Sequence, residues 1–126
     1  MPSKTSKRVL VVDDDDDLRD ALVDLLETLG YRALGVASAE QALKVIHDDP
    51  CLVLMDWQMR QMDGPALLAA MRAELGPRLP PVVFITGSDA AITKNIAEPV
   101  LSKPVSVGAL LDVLRRHCPS PLVTRK

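Results

Sequence analysis

Side chains able to bind a metal ion and a phosphoryl group follow four of the apolar runs in this 126-residue chain. Carboxylates come directly after the first run and again after the third, a threonine follows the fourth, and a lysine follows the fifth. In chain order these residues are Asp13 and Asp14, then Asp56, Thr86 and Lys103. Carboxylate oxygens are the ligands that Mg²⁺ prefers, and a lysine or a hydroxyl can contact phosphoryl oxygens.

The segments around these residues predict a sheet that would bring them together. Five short apolar runs, at 9–12, 31–36, 51–55, 82–85 and 100–101, are strand candidates. The runs at 9–12 and 51–55 have no polar interruption, as expected of strands covered on both faces, whereas 31–36 contains Arg32 and is a weaker candidate. Apolar residues at helical spacing follow each run, and the segment 88–97 is short and weakly amphipathic. We therefore predict an α/β fold: a flavodoxin-like, doubly wound, five-stranded parallel sheet of order 2-1-3-4-5, with a shortened fourth helix.

This strand order makes the acidic residues neighbours. The first and third strands would lie about 4.8 Å apart, and two carboxylates at that separation repel by about 3–4 kcal/mol at an effective dielectric of 20. Either one of them binds a proton or a cation lies among them. Because one edge of the sheet is open to water, we predict Mg²⁺ as the cofactor, bound near Asp13, Asp14 and Asp56.

Most of the polar residues at the strand ends also have a structural explanation, which fits Asp13 and Asp14 less well than the others. Acidic residues favour the first turn of a helix, which accounts for Asp15–Asp17 as a cap and a solvated face. Asp56 and Thr86 could be turn residues at strand ends. Lys103 could be a surface lysine, but the following Pro104 disfavours helical dihedrals and keeps it extended beyond its strand. The joint order of the residues, one set after each of four strands, is more informative than any one of them.

Composition excludes several function classes. With 15 basic and 17 acidic residues, a net charge of −2 and only 2% aromatic residues, the chain is not expected to bind nucleic acid directly. No apolar run approaches the roughly 20 residues of a membrane span, and the basic N-terminus lacks the apolar core of a signal peptide. Two cysteines do not make a disulfide framework. We expect a cytoplasmic single domain over 1–126, with a core at about 8–117 and a tail or linker from 119.

Five segments resemble the receiver domains of bacterial two-component response regulators. They are Val11-Val12-Asp13-Asp14, Leu54-Met55-Asp56, Met62-Asp63-Gly64, Phe84-Ile85-Thr86-Gly87 and Ser102-Lys103-Pro104. The resemblance implies a phosphoacceptor domain that catalyses only its own phosphorylation and dephosphorylation. Its partners would be a sensor histidine kinase or a histidine phosphotransfer protein, a downstream target or attached domain, and a weak dimer formed on phosphorylation.

The same resemblance implies a role for each site residue. Asp56 would accept the phosphoryl group, and Asp14 and Asp56 would ligate Mg²⁺ with the main-chain carbonyl of Gln58. Asp13 would act through a bound water. Lys103 and Thr86 would contact the phosphoryl oxygens, with Thr86 as the switch hydroxyl, and Gln58 and Ser88 would tune dephosphorylation.

The chain also departs from the family pattern. Arg60 stands where the family usually carries proline, and Val100 where many members carry the switch tyrosine or phenylalanine. The short interval between Thr86 and Lys103 implies the shortened fourth helix. These departures leave open a phosphorylation-independent interaction module. A haloacid dehalogenase-type phosphatase is a weaker alternative, suggested by the D-x-D of Asp13–Asp15, although the chain is too short for a cap insertion.

Overall fold

The computed structural model describes residues 7–60, 63–87 and 97–118. Five parallel strands form one sheet of order β2-β1-β3-β4-β5, as the sequence predicts. The strands are β1 (Val9–Val12), β2 (Ala33–Val36), β3 (Leu52–Asp56), β4 (Val82–Thr86) and β5 (Val100–Ser102). The central strands β1, β3 and β4 are buried along their whole length, because helices cover both faces of the sheet.

Within the described residues, four α-helices connect or follow the strands: α1 (Asp16–Thr28), α2 (Ala39–Val45), α3 (Gly64–Leu75) and α4 (Val107–His117). Single 3₁₀ turns at Ile46–Asp48 and Gly76–Arg78 extend α2 and α3. The shortened helix expected between β4 and β5 falls on residues 88–97, nearly all of which lie outside the described residues. That expectation therefore stays a prediction.

Each face of the sheet has its own apolar core. Alternate residues of β1 separate into the two cores, with Leu10 and Val12 on one face and Val9 and Val11 on the other. Residues of α2 and α3 pack on the first face, and residues of α1 and α4 pack on the second. This arrangement fixes the direction in which every strand residue points, and so places the strand ends in register.

Local sequence sets the helix ends. The side chain of Asp15 accepts a hydrogen bond from the Leu18 N–H at 3.1 Å, so the third acid of the Asp run is the N-cap of α1. Past the end of that helix, Gly30 has a φ of 96°, a conformation that L-residues with a side chain rarely adopt. Capping therefore accounts for Asp15, but not for Asp13 and Asp14.

The two cysteines form a disulfide, which the sequence analysis did not predict. Cys51 directly precedes β3, Cys118 directly follows α4, and the two form a disulfide with a Cα–Cα distance of 5.3 Å. Composition alone did not predict the pair, because 67 positions separate the two residues in sequence and only the fold brings them together. Within the described part of the chain, none of the helices has the length and apolar character that a membrane crossing requires.

Candidate functional site

Three neighbouring strands place the predicted site residues at one edge of the sheet. Asp13 follows β1, Asp56 is the last residue of β3, and Thr86 is the last residue of β4. The strands run parallel in the register Val12 opposite Met55 and Asp56 opposite Ile85. Side chains from distant parts of the sequence therefore meet where the strands end, as expected for a sheet of this topology.

The acidic residues form a compact cluster. One carboxylate oxygen from each of Asp13, Asp14 and Asp56 lies within 4.8 Å of the others. Asp13 and Asp56 are buried, with 8% and 9% of their surface exposed, whereas the Asp14 side chain is 23% exposed. The Asp15 N–H donates to Asp13 Oδ1 at 2.9 Å, which fixes the orientation of that carboxylate. The cluster thus has two buried members and one that faces solvent.

The spacing of these oxygens fits a small divalent cation. Mg²⁺ holds its oxygen ligands at about 2.0–2.1 Å, so oxygens on opposite sides of one ion lie about 4.2 Å apart. Three carboxylate oxygens within 4.8 Å can approach that geometry with small side-chain movements. The donor set is entirely oxygen, and one side of the cluster reaches solvent, so water can complete the coordination. The residues present therefore fit Mg²⁺.

Burial raises the pKa of both buried acids, and the charges of neighbouring carboxylates raise it further. Desolvation raises the pKa of Asp13 above its ordinary value, and the Asp15 hydrogen bond and the charge of Lys103 only partly oppose it. Desolvation likewise raises the pKa of Asp56, and the charge of Asp13 raises it further against the opposing charge of Lys103. A bound cation would relieve both effects, because it favours the charged form of each carboxylate.

Lys103 is the cation that reaches this cluster from β5. Its Nζ donates to Asp56 Oδ1 at 3.2 Å, and its side chain is 29% exposed. The Lys103 N–H also donates to the Thr86 carbonyl oxygen at 2.8 Å, which ties the residue after β5 to the end of β4. Thr86 is 4% exposed and stands beside Ser102 in the sheet register. The side chains of all five residues predicted from strand ends are therefore at the same edge.

Two of the predicted residues gain no support from these contacts. Gln58 is exposed, two residues beyond β3, and its main-chain carbonyl as a metal ligand stays a prediction. Ser88 lies outside the described residues.

Sequence reasoning missed two contacts that involve arginine. The Arg60 N–H donates to Asp14 Oδ2 at 2.7 Å, and Arg19 Nη1 donates to the Asp13 carbonyl oxygen at 3.2 Å. In the sequence, Arg60 stands out only as a departure from the family pattern. A main-chain contact of this kind depends on the path of a loop, which no periodicity reports.

Comparison with known proteins agrees with the geometry. The family described as "Response regulator receiver domain" matches residues 9–115, which include every strand, every helix but the last two residues of α4, and the whole acidic cluster. The chain belongs to the response regulator receiver domain family. It is therefore a receiver domain of two-component signalling, and receiver domains are signalling modules rather than enzymes in the ordinary sense.

The curated relatives differ greatly in total length. The chain is 39% identical over 117 residues to the response regulator protein FleR of Pseudomonas aeruginosa, covering 87% of this chain but 24% of FleR. It is 35% identical over 117 residues to the hybrid signal transduction protein dokA of Dictyostelium discoideum, and spans 7% of that protein. The response regulator receiver protein CpdR of Brucella abortus is 34% identical and is covered to 95%. The chain thus spans a quarter or less of some relatives and nearly all of another.

Solved structures show the same fold. The receiver protein from Pseudomonas putida matches with a TM-score of 0.76 at 29% identity, over 87% of this chain and 96% of that chain. The receiver domain of the hybrid histidine kinase CckA matches with a TM-score of 0.71 at 30% identity, over 89% and 99% of the two chains. Asp15, the second acid of the D-x-D that suggested the phosphatase alternative, is the N-cap of α1.

Proposed function

We propose that this receiver domain accepts a phosphoryl group on Asp56 from the phosphohistidine of a partner protein, in a reaction that requires Mg²⁺. One observation carries the proposal: Asp56 has Asp13 and Asp14 within 4.8 Å on one side and Lys103 Nζ at 3.2 Å on another. A buried carboxylate between a candidate cation site and a lysine suits phosphoryl transfer, which mostly requires positioning and neutralisation of charge.

The transfer forms one bond and breaks one bond. A carboxylate oxygen of Asp56 attacks phosphorus, the P–O bond forms, the P–N bond to histidine breaks, and the imidazole leaves with that electron pair. Lys103 is placed to contact a phosphoryl oxygen once it releases Asp56 Oδ1. Thr86, buried at the end of β4, is the second group that we assign to the phosphoryl oxygens. When bound, Mg²⁺ neutralises the charge spread over the transferring group.

The remaining roles follow the family resemblance. We assign direct metal ligation to Asp14, Asp56 and the Gln58 carbonyl, and action through a bound water to Asp13, which already accepts the Asp15 N–H. Gln58 and Ser88 would tune the lifetime of the aspartyl phosphate. Hydrolysis of its own phosphoryl group is the only further reaction that we assign to the domain.

A groove beside the site supports a protein as the phosphoryl donor. Its volume is about 560 Å³, and it opens directly onto Asp13 and Lys103. Leu18, at its rim, is 46% exposed. The other apolar residues of the groove are Ala21, Leu22, Leu25, Ile85, Pro104 and Val105. Because the groove is continuous with the acceptor site, we assign it to the histidine-bearing element of a sensor kinase or a histidine phosphotransfer protein, in the cytoplasm.

The output of this receiver is proposed only as a general type of surface change. We propose that the doubly charged group on Asp56 changes the surface presented to a downstream protein or an attached domain, or promotes a weak dimer. We also propose that the described sheet and helices belong to one domain, because both apolar cores share the same sheet. The interaction-module alternative draws on Val100, a small side chain packed at the edge of the first core, where an aromatic switch would be expected.

The test is covalent labelling of the full chain. Wild-type protein is incubated with Mg²⁺ and a small acyl-phosphate donor, and intact mass is measured with Asp56→Asn in parallel. We expect one added phosphoryl group on the wild type and none on Asp56→Asn. Asp17→Asn is the matched control, since it removes the same charge from an exposed position on α1 and should label like the wild type.

Each other outcome points to a different conclusion. Labelling that persists in Asp56→Asn would move the acceptor to another residue. A folded wild type that binds Mg²⁺ but never labels would favour the interaction module. Trp57 offers a second readout in the same experiment, because it is buried beside Asp56 and packs edge-on against Phe84, with ring centroids 5.1 Å apart.

A further inference from the structure

Arg60 contacts the most exposed acid of the cluster through two separate groups. Its N–H donates to Asp14 Oδ2 at 2.7 Å, and its guanidinium Nε lies 3.9 Å from the same oxygen. The Arg60 side chain is 86% exposed, so packing does not account for its position. The other two acids have different partners: Asp13 accepts the Asp15 N–H and Asp56 accepts Lys103. Asp14 is thus engaged by the loop that follows β3.

Both groups act against a cation at Asp14. A hydrogen-bond donor on a carboxylate oxygen withdraws the electron density that a metal ion would use, and a positive charge within a few ångströms repels a divalent ion. A carboxylate has about four lone-pair positions, so the contact weakens metal binding without preventing it. Proline at this position would supply neither group, because it has no N–H and no charge.

We propose that Arg60 competes with Mg²⁺ for Asp14, so that this receiver binds the ion more weakly than it would without the Arg60 charge and N–H. The inference rests on the metal site of the proposed function and adds a positioning residue to it. Arg60 acts through Asp14 and touches neither the acceptor nor the phosphoryl group. Since the guanidinium is exposed, salt screens its part of the effect, whereas the hydrogen bond from the N–H is much less sensitive to salt.

The experiment is calorimetric titration of the full chain with MgCl₂ alone, at low ionic strength. Arg60→Ala should bind Mg²⁺ about two- to fivefold more tightly than the wild type, the size expected for an exposed charge. Arg60→Lys keeps the charge and the N–H and should restore the wild-type affinity. Arg78→Ala is the matched control: it removes the same charge from an exposed residue in the 3₁₀ turn after α3, at the opposite end of the sheet, and should leave the affinity unchanged.

Salt and a second variant separate the two groups. The ratio of the Mg²⁺ affinities of Arg60→Ala and the wild type should fall toward one as salt is raised to about 0.5 M. At that concentration the Debye length is well below its value of about 8 Å at physiological ionic strength. Arg60→Pro, with its fold checked by circular dichroism, should bind at least as tightly as Arg60→Ala at every salt concentration. Weaker binding by Arg60→Pro would overturn the part assigned to the N–H.

Two further results keep this inference apart from the proposed function. Equal affinities of the wild type and Arg60→Ala at low salt would overturn the competition while leaving the metal site intact. Absence of Mg²⁺ binding in the wild type, in Arg60→Ala and in Arg60→Pro would overturn the metal site and the inference together.

Discussion

Asp13 and Asp56 are two buried acids that destabilise the protein while no cation lies between them. Burial raises the pKa of each above the ordinary value of 3.8, and the charge of Asp13 raises the pKa of Asp56 further. A carboxyl whose pKa is raised by folding contributes stability that is fully present below its unfolded pKa and is lost as pH rises through its folded pKa. At neutral pH, therefore, the metal-free site works against folding.

Asp13→Asn should stabilise the metal-free protein at neutral pH. The substitution removes one of the two repelling charges and keeps Oδ1 as acceptor for the Asp15 N–H. In EDTA at pH 7 we expect the free energy of unfolding in urea to rise by about 1 kcal/mol, a typical size for a single substitution. The gain should fall as pH is lowered and vanish below about pH 4, where Asp13 of the wild type is protonated in both states.

Saturating Mg²⁺ supplies the internal control for this prediction. The ion should stabilise the wild type more than Asp13→Asn, because it relieves a repulsion that the variant lacks. A gain that is independent of pH would show that repulsion between the carboxylates is not its cause.

At the residue scale, the site could be predicted from the residues at the ends of the strands. Asp13, Asp56, Thr86 and Lys103 could be predicted to converge because each lies at the carboxyl end of a strand in one parallel sheet, and the side-chain positions agree. The contact of Arg60 with Asp14 could not be predicted in this way. It belongs to a loop, whose path depends on the packing around it rather than on any repeat in the sequence.

At the scale of secondary structure, α3 begins against the end of β3 with no room for a side chain. A Cβ on Gly64 would lie 2.7 Å from Phe84 Cε1 and 2.9 Å from the Asp56 carbonyl oxygen. The Gly64 N–H also donates to the Trp57 carbonyl oxygen at 2.8 Å. This close approach sets how the acceptor strand and the following helix fit together, and it explains why glycine precedes Pro65 in the first turn.

Gly64→Ala should destabilise the fold and disturb the acceptor site. Overpacking of this kind costs about 1–3 kcal/mol, because Phe84 or the main chain of Asp56 must move. Urea unfolding measures the loss, and Trp57 emission should shift, since Trp57 packs against Phe84. Gly108→Ala in the first turn of α4 is the control: its Cβ would meet only Ser106 Oγ at 3.7 Å, so its stability should stay within about 0.5 kcal/mol of the wild type or rise. Equal behaviour of the two variants would contradict the steric explanation.

Strand positions were predictable to within one or two residues. The run at 31–36 begins two residues before β2, because Tyr31 is buried ahead of the strand, and the run at 51–55 is one residue out of step with β3. The strand β3 ends at the polar Asp56, and a search for apolar runs does not include a polar residue. Ser38 caps α2 by accepting from the Gln41 N–H, and Gln41 Oε1 accepts from the Ala37 N–H rather than from the N–H of Ser38 itself.

At the scale of the whole molecule, one covalent bond joins the sheet to the last helix. The disulfide ties Cys51, just before β3, to Cys118 at the end of α4, on the face where α1 and α4 pack. Both cysteines are buried, and the bond lies at the opposite end of β3 from Asp56. Cytoplasmic conditions keep most protein thiols reduced, so the stability of the domain should depend on the redox state of this pair.

Removing the bond should cost stability without removing the acceptor site. The double variant Cys51→Ser/Cys118→Ser, and the wild type treated with a reducing agent, should both lose about 2–4 kcal/mol of unfolding free energy in urea, because a long closed loop no longer restricts the unfolded chain. Labelling of Asp56 should survive in the folded variant, since five residues of strand, about 16 Å, separate the bond from the site. Two free thiols in the untreated protein, with no effect of the reductant on the unfolding midpoint, would show that the pair does not bond in solution. Loss of labelling in the folded variant would instead show that α4 must be fixed to the sheet for the acceptor site to form.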